Sequence, residues 1–352
     1  MDNAVLVYRL FDVAEEIDLN RVEEVFAQEK VTRLRLSKVK PKSMQFRNPP
    51  VTMYLEGDRL TIGGRTYPTS VYARAYDFGV ISIVLRLPVP ADLSYNELVN
   101  LAVELSEEDL LDPLFAGYAD MISRILEPAL IKPGRSEFEE DFIIYFFRHW
   151  PADWDPVPLL LAEKEPVSEQ MRRETLANSF SYTPEDLTII TWDSALVYDS
   201  EGIPDIPDLL EFANAQLLEL RYYDHLLSNE LENMYDSIAE LQRQPFRRLA
   251  KYRRILRRIT ETVLDITEIT ERIQNSLKVT EDIFYARVYS AALHVLRTRT
   301  WMESIQNKIN LIQRHYTFLN DQLTNQRNMQ LEFIIVVLIL IEVIMGFFPV
   351  FH

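Results

Sequence analysis

Residues 79–85 read GVISIVL, and this run decides the fold of the first half of the chain. Ser82 is the only polar side chain among seven residues rich in β-branched types. That is the composition of a strand covered on both faces, not of one that alternates between core and water. Ahead of it, Asp77-Phe78-Gly79 reads as a turn and residues 71–74 as a partner strand. Further upstream, residues 51–55, 59–62 and 66–67 form a meander with turns at Glu56-Gly57-Asp58 and Gly63-Gly64. The paired glycines are a two-residue hairpin signal, because glycine accepts positive φ at both positions. Residues 5–10 predict another strand. Residues 18–27 predict a helix with Val22, Val25 and Phe26 on one side.

Downstream, residues 96–105 and 114–131 have helical spacing, and DFIIYFF at 141–147 reads as a buried strand. Three prolines mark residues 150–158 as a loop, and Ser168 is a candidate N-cap for a helix to residue 176. Residues 187–192 and 195–198 close the strand-rich part. Gly202, Pro204 and Pro207 then mark a linker, placed at residues 201–208 after an acidic α+β domain at 1–200.

Beyond the linker the pattern becomes a heptad. Leu210, Ala213, Leu217, Leu220, Asp224, Leu227, Leu231, Met234, Ile238 and Leu241 alternate spacings of three and four, a coiled-coil seam with one polar slot at Asp224. Pro245 breaks it, and a second seam runs from Leu249 to Leu277. A turn is expected near residues 278–282, with Thr280 as N-cap; the alternative is an unbroken helix with a stutter. From Val288 the register continues to Leu323. No Gly or Pro lies between Pro245 and Gly346, so the last helix is expected to run unbroken from about Asp282. Residues 209–330 thus predict an antiparallel helical stalk.

The tail, residues 331–351, reads LEFIIVVLILIEVIMGFFPVF, with Glu342 alone ionisable between Phe333 and Phe348. About 20 apolar residues span a bilayer core of about 30 Å. The expected fold is therefore an α+β N-terminal domain, a long helical, coiled-coil-like stalk and one C-terminal transmembrane helix. Arg314 and Arg327 precede the tail and only His352 follows it. With no secretory signal at the N-terminus, this predicts a single-pass protein of the cytoplasmic membrane with its body in the cytoplasm.

Composition narrows the function classes. The chain has 352 residues, no Cys, 8 Gly and a net charge of -17. Residues 1–205 carry 20 Lys and Arg against 36 Asp and Glu, so direct DNA binding is not expected. Dinucleotide-binding, P-loop, zinc-protease and nucleophile-elbow signatures are all missing. His149, His225, His294, His315 and His352 are scattered, without metal-ligand spacing. The expectation is a non-enzymatic protein with no cofactor and no metal.

Two features invite partners. Arg247, Lys251, Arg254 and Arg258 share one helical stripe that could grip phosphates or anionic headgroups. Pairing with acids such as Glu230, Glu232, Asp236 and Glu240 is the favoured reading. Glu342, with Glu332 ten residues before it, reads as a membrane or oligomer contact, since a mid-membrane carboxyl costs several kcal/mol unless protonated or paired.

The segments ARAYDFGVISIVLRL (residues 73–87), TIITWDSALVYD (188–199) and LEFIIVVLILIEVIMG (331–346) together resemble the family called required for meiotic nuclear division 1, also known as domain of unknown function 155. The family's aromatic-Asp-aromatic-Gly-Val segment is matched by Tyr76, Asp77, Phe78, Gly79 and Val80. Its tail motif is matched by Leu331-Glu332-Phe333 and Ile341-Glu342-Val343. The resemblance implies a membrane-anchored homo-oligomer. Mitochondrial relatives support translation at the inner membrane by tethering ribosomes or messages, so a ribosome or membrane-protein partner is implied. It carries over no catalytic residues. The lack of a mitochondrial targeting segment points to a bacterial-type member. The expected function is a membrane-anchored, homo-oligomeric scaffold or tether. The alternative is a component of an oligomeric ion-transport system with CorA-like architecture. That alternative needs a second span and a Gly-Met-Asn motif, whereas Met345-Gly346-Phe347 is followed by five residues.

Overall fold

The computed structural model describes residues 1–28, 35–37, 48–107, 111–134, 138–243 and 282–347, with isolated helical positions between 257 and 267. Side chains are described except at 26–28, 35–37, 237–243, 316, 318–330 and 345–347. Two compact units emerge: residues 1–222 with 269–302, and residues 223–268 with 303–352.

In the first unit the chain runs β1 (Ala4–Asp12), β2 (Ala14–Ile17), α1 (Leu19–Gln28), β3 (Arg35–Ser37), β4 (Val51–Leu55), β5 (Arg59–Ile62), β6 (Arg65–Pro68), β7 (Ser70–Ala75) and β8 (Val80–Pro88). Then come α2 (Tyr95–Leu105), α3 (Asp112–Leu126), β9 (Leu130–Pro133), β10 (Glu139–Phe147), α4 (Pro156–Leu160), α5 (Glu169–Thr175), β11 (Ser179–Phe180), β12 (Asp186–Ile190) and β13 (Ser194–Asp199). The helix α6 (Asp205–Arg243) begins here, and α7 (Ile283–Val295) and the start of α8 (Thr298–Phe347) complete the unit.

Nine strands form one sheet in the order β11-β12-β13-β10-β1-β8-β7-β4-β3. Every neighbouring pair is antiparallel except β10 with β13. At the centre, β1 registers Val7 opposite Leu85 of β8 and Ile143 of β10. Side chains alternate across the pleat. Val5, Val7 and Phe11 therefore enter one core with Ile81, Ile83 and Leu85, whereas Leu6, Tyr8 and Leu10 enter the other with Val80 and Val84. The first core is closed by Leu98 and Leu101 of α2, Phe115 and Ile122 of α3 and Leu159 of α4. The second is closed by Leu209, Phe212, Ala213 and Leu217 of α6 and Val288, Tyr289 and Ala292 of α7. The result is three layers, with GVISIVL covered on both faces as its composition predicts.

Local signals held where they were strong. The hairpin of β5 and β6 turns at Gly63 and Gly64, with φ of 59° and 76°. Ser168 caps α5 by accepting from the Met171 amide at 3.2 Å. In α2, Ser94 and Glu97 form a reciprocal capping box.

Other expectations are corrected. The stretch from 201 leads straight into α6, and the first unit continues to Tyr222. Residues 205–220 are all buried, so the first heptads of the seam are core of a three-layer domain and not the start of a stalk. The last helix does not run unbroken from Asp282. Asp282 is itself the N-cap of α7, in place of Thr280, accepting from the Phe284 and Tyr285 amides. The chain then breaks at Leu296 and Arg297 before α8 begins.

In the second unit, Leu227, Leu231 and Met234 of α6 and Ile305, Ile309 and Ile312 of α8 are buried, as the heptads predict. The polar slot is filled: Lys308 Nζ lies 2.7 Å from Asp224 Oδ1, and Ser304 donates to the same oxygen at 2.6 Å. Tyr235 meets His315 further along. Both pairings advance together along the two helices, so α6 and α8 run parallel here. The second seam and the expected antiparallel helix lie outside the described residues.

Among the described residues, no helix is long and apolar enough to cross a membrane. Glu342 interrupts the apolar end of α8 among the described residues. This corrects the expected transmembrane helix, the tail anchor at 331–351 and the single-pass placement at a cytoplasmic membrane.

Candidate functional site

The family-like motif Tyr76-Asp77-Phe78-Gly79 is the turn between β7 and β8. The Tyr76 amide donates to the Val80 carbonyl at 2.9 Å, and the turn's carbonyls receive β2: Val13 N donates to Gly79 O and Ile17 N to Asp77 O, both at 3.0 Å. Gly79 has φ of 93°, and a Cβ there would collide with the Ala14 carbonyl oxygen. Only glycine permits both the left-handed backbone and this approach. Asn48 donates to Asp77 Oδ2 at 2.7 Å. Tyr76 and Phe78 stack with centroids 5.3 Å apart, and both rings pack on Phe212 of α6. The motif is a clasp that holds β2 and α6 to the sheet.

Next to the clasp lies a charged cluster that sequence reasoning missed. Strand β7 sends Tyr72 and Arg74 to the face occupied by α6. Arg74 meets Asp208 at 2.6 Å and Glu211 at 2.5 Å, while its guanidinium lies 5.4 Å from the Tyr72 ring centroid. Glu211 is fully buried. Burial pushes the Glu211 carboxyl upward, and Arg74 offsets this, with the Tyr76 and Ser82 hydroxyls assisting. Asp208 is raised for the same reason and likewise offset by Arg74. Burial alone would lower Arg74, but Glu211 and Asp208 outweigh it and hold the guanidinium charged. The Tyr8 hydroxyl is raised, chiefly by burial. Two carboxyls facing one guanidinium leave one negative charge in excess, so the cluster retains a proton above the ordinary carboxylate range.

The legible signal was the alternation in SVYARA: Tyr72, Arg74 and Tyr76 fall on one face, opposite Asp208 and Glu211 at i and i+3. A second ion pair joins β10 to α6, where Arg221 donates to Glu140 and its guanidinium lies 5.7 Å from the Phe138 ring. Burial pushes Glu140 up to about 7, outweighing the attraction of Arg221. The Arg74 cluster is enclosed, while in the second pair Glu140 is buried and Arg221 is 32% exposed; the chemistry of both is that of docking, since buried charges hold only against matched partners.

Glu332 and Glu342 lie on α8 about 15 Å apart along its axis, and both are exposed. Between and around them, Leu331, Phe333, Ile334, Ile335, Val336, Leu338, Ile339, Leu340, Ile341, Val343 and Ile344 are each between 47% and 69% exposed. Consecutive positions advance by about 100°, so apolar surface encircles the helix. Arg247, Lys251, Arg254 and Arg258 lie outside the described residues. Among the described residues, no group of three or more His, Asp or Glu side chains is arranged to hold a metal.

A family model described as the N-terminal domain of uncharacterized protein MJ0711 matches residues 2–205. A protein of Methanocaldococcus jannaschii, described as uncharacterized protein MJ0711, is 26% identical over 263 residues, covering 71% of this chain and 79% of the relative. No solved structure matches the chain.

Proposed function

The chain belongs to the MJ0711 N-terminal domain family, and for this member we propose a non-enzymatic scaffold that assembles with copies of itself through the end of α8. The observation that carries this reading is the run of exposed apolar side chains between Phe333 and Ile344, interrupted by Glu342 and by a half-buried Val337. A helix apolar all round is stable in water only when something surrounds it. A second copy supplies the same surface, and parallel copies of one segment bring Glu332 to Glu332 and Glu342 to Glu342, which sets a register. The resemblance to the required for meiotic nuclear division 1 family supports the oligomer and suggests a ribosome as the partner such a scaffold would hold.

The test compares the full chain with one ending at Gln330, by light scattering after size exclusion in detergent-free buffer. An oligomer that becomes a monomer on truncation is the expected result. A monomeric full chain, or one whose tail is taken up by lipid vesicles instead, overturns the reading. Co-sedimentation with ribosomes that survives in the full chain and weakens in the truncated one is expected for the partner.

A further inference from the structure

Glu342 is the one ionisable side chain between Phe333 and Phe348, and it is exposed. Residues three and four apart share a side of a helix. Ile339 and Leu338 precede Glu342 by three and four residues, and Ile335 precedes it by seven, so the carboxyl completes an apolar stripe along α8. Those three apolar side chains are each more than half exposed. Whatever covers the stripe covers the carboxyl with it.

The chemistry of that cover follows from the sequence. Residues 328–351 contain no Lys, Arg or His, and Glu332 is their only other ionisable group. Along the helix axis Glu332 lies about 15 Å before Glu342, and Arg327 about 22 Å before it, at 1.5 Å per residue. A second copy of the chain has the same composition, so it brings no cation to the contact. Laid parallel on the first, it sets its own Glu342 against Glu342. Two carboxylates pressed together in an apolar surround repel one another and lose their water. One proton between them turns the contact into a charge-assisted hydrogen bond, and two protons give a neutral pair. Covering the stripe therefore draws protons from solvent, at least one for each pair of chains.

We propose that self-association through the end of α8 is controlled by pH, with Glu342 as the group that takes up the proton. This deepens the scaffold reading and rests on it. Association strengthens as pH falls and weakens as pH rises, because the associated chains hold protons that the separate chains release. Each proton taken up changes the association constant by as much as about tenfold per pH unit. Glu332 borders the polar residues Gln326, Arg327, Asn328 and Gln330, where a carboxylate keeps its water, and it serves as the control.

The experiment is sedimentation equilibrium of the full chain in detergent-free buffer of fixed ionic strength, at pH 5.5 and pH 7.5, with the parent, Glu342→Gln and Glu332→Gln. The parent's dissociation constant is expected to be at least about tenfold smaller at pH 5.5. Glu342→Gln, neutral and of the same shape, should associate at pH 7.5 as tightly as the parent does at pH 5.5 and lose most of the pH response, whereas Glu332→Gln keeps it. Glu140, raised to about 7 by burial, titrates in the same window, so the substitutions and not the pH change alone carry the conclusion. A parent that associates equally at both pH values, or a Glu342→Gln chain with the parent's full pH response, overturns the proposal and leaves self-assembly standing. A parent and a Glu342→Gln chain that are both monomeric at both pH values overturn self-assembly itself.

Discussion

Gly79 and Arg74 stand a few residues apart and illustrate two kinds of constraint. At Gly79 the constraint is steric: φ of 93° and the nearby Ala14 carbonyl leave no space for a methyl group. Gly79→Ala is expected to cost about 3 kcal/mol or more, read by urea unfolding, because the strained φ adds to the collision. At Arg74 the constraint is electrostatic. Arg74→Met leaves Asp208 and Glu211 buried without their cation, which is expected to cost about 3–5 kcal/mol at neutral pH. The sign with pH follows from the raised carboxyls. A carboxyl raised in the folded state is stabilising while protonated and loses that contribution as pH rises through its folded value. Without Arg74 the two are raised further, so the deficit should be largest at neutral pH and shrink on acidification. An equal deficit at pH 7.5 and pH 5 would count against the cluster as described.

At the scale of elements, α6 is tied to the sheet at two stations: Arg74 of β7 near its start and Glu140 of β10 at Arg221. The second station predicts a pH profile. Glu140, raised to about 7 against an ordinary 4.5, contributes stability that is full below about 4.5 and is lost as pH rises to about 7, up to about 3 kcal/mol. Glu140→Gln should flatten the unfolding free energy across that window relative to the parent. An unchanged slope would place the titration elsewhere. The break between α7 and α8 belongs to this scale too. No glycine or proline announces it; Arg297 takes the left-handed conformation that ends α7, with its side chain stacked on Trp192. A heptad register continued through residues 295 to 305 could not reveal it, because the apolar spacing survives the corner.

For the whole molecule, the governing fact is the contrast between an acidic first unit that buries its apolar surface and an α8 end that does not. If copies cover that end, folding of the second unit is coupled to association. Its melting temperature should then rise with protein concentration, as mass action requires for any partner that binds only the native state. The chain ending at Gln330 should melt independently of concentration. A concentration-independent melt of the full chain, followed by calorimetry over a hundredfold range, would argue against self-assembly.

The local order was legible because its causes are local. Two glycines make the 63–64 hairpin, a serine hydroxyl caps α5, and an apolar run in GVISIVL needs cover on both sides. The heptads of α6 and α8 also predicted buried positions correctly from Leu210 to Met234 and from Ile305 to Ile312. What a helix period cannot say is which surface will cover its apolar face. The same spacing serves a coiled coil and a helix laid on a sheet, so residues 209–220 read as stalk when they are core. Arg74 finds Asp208 and Glu211 across more than 130 residues of chain, a meeting made by the register of β7 and the docking of α6. The extent of the apolar tail was plain from composition. That its described apolar side chains stand exposed along α8 was decided only by the folded chain.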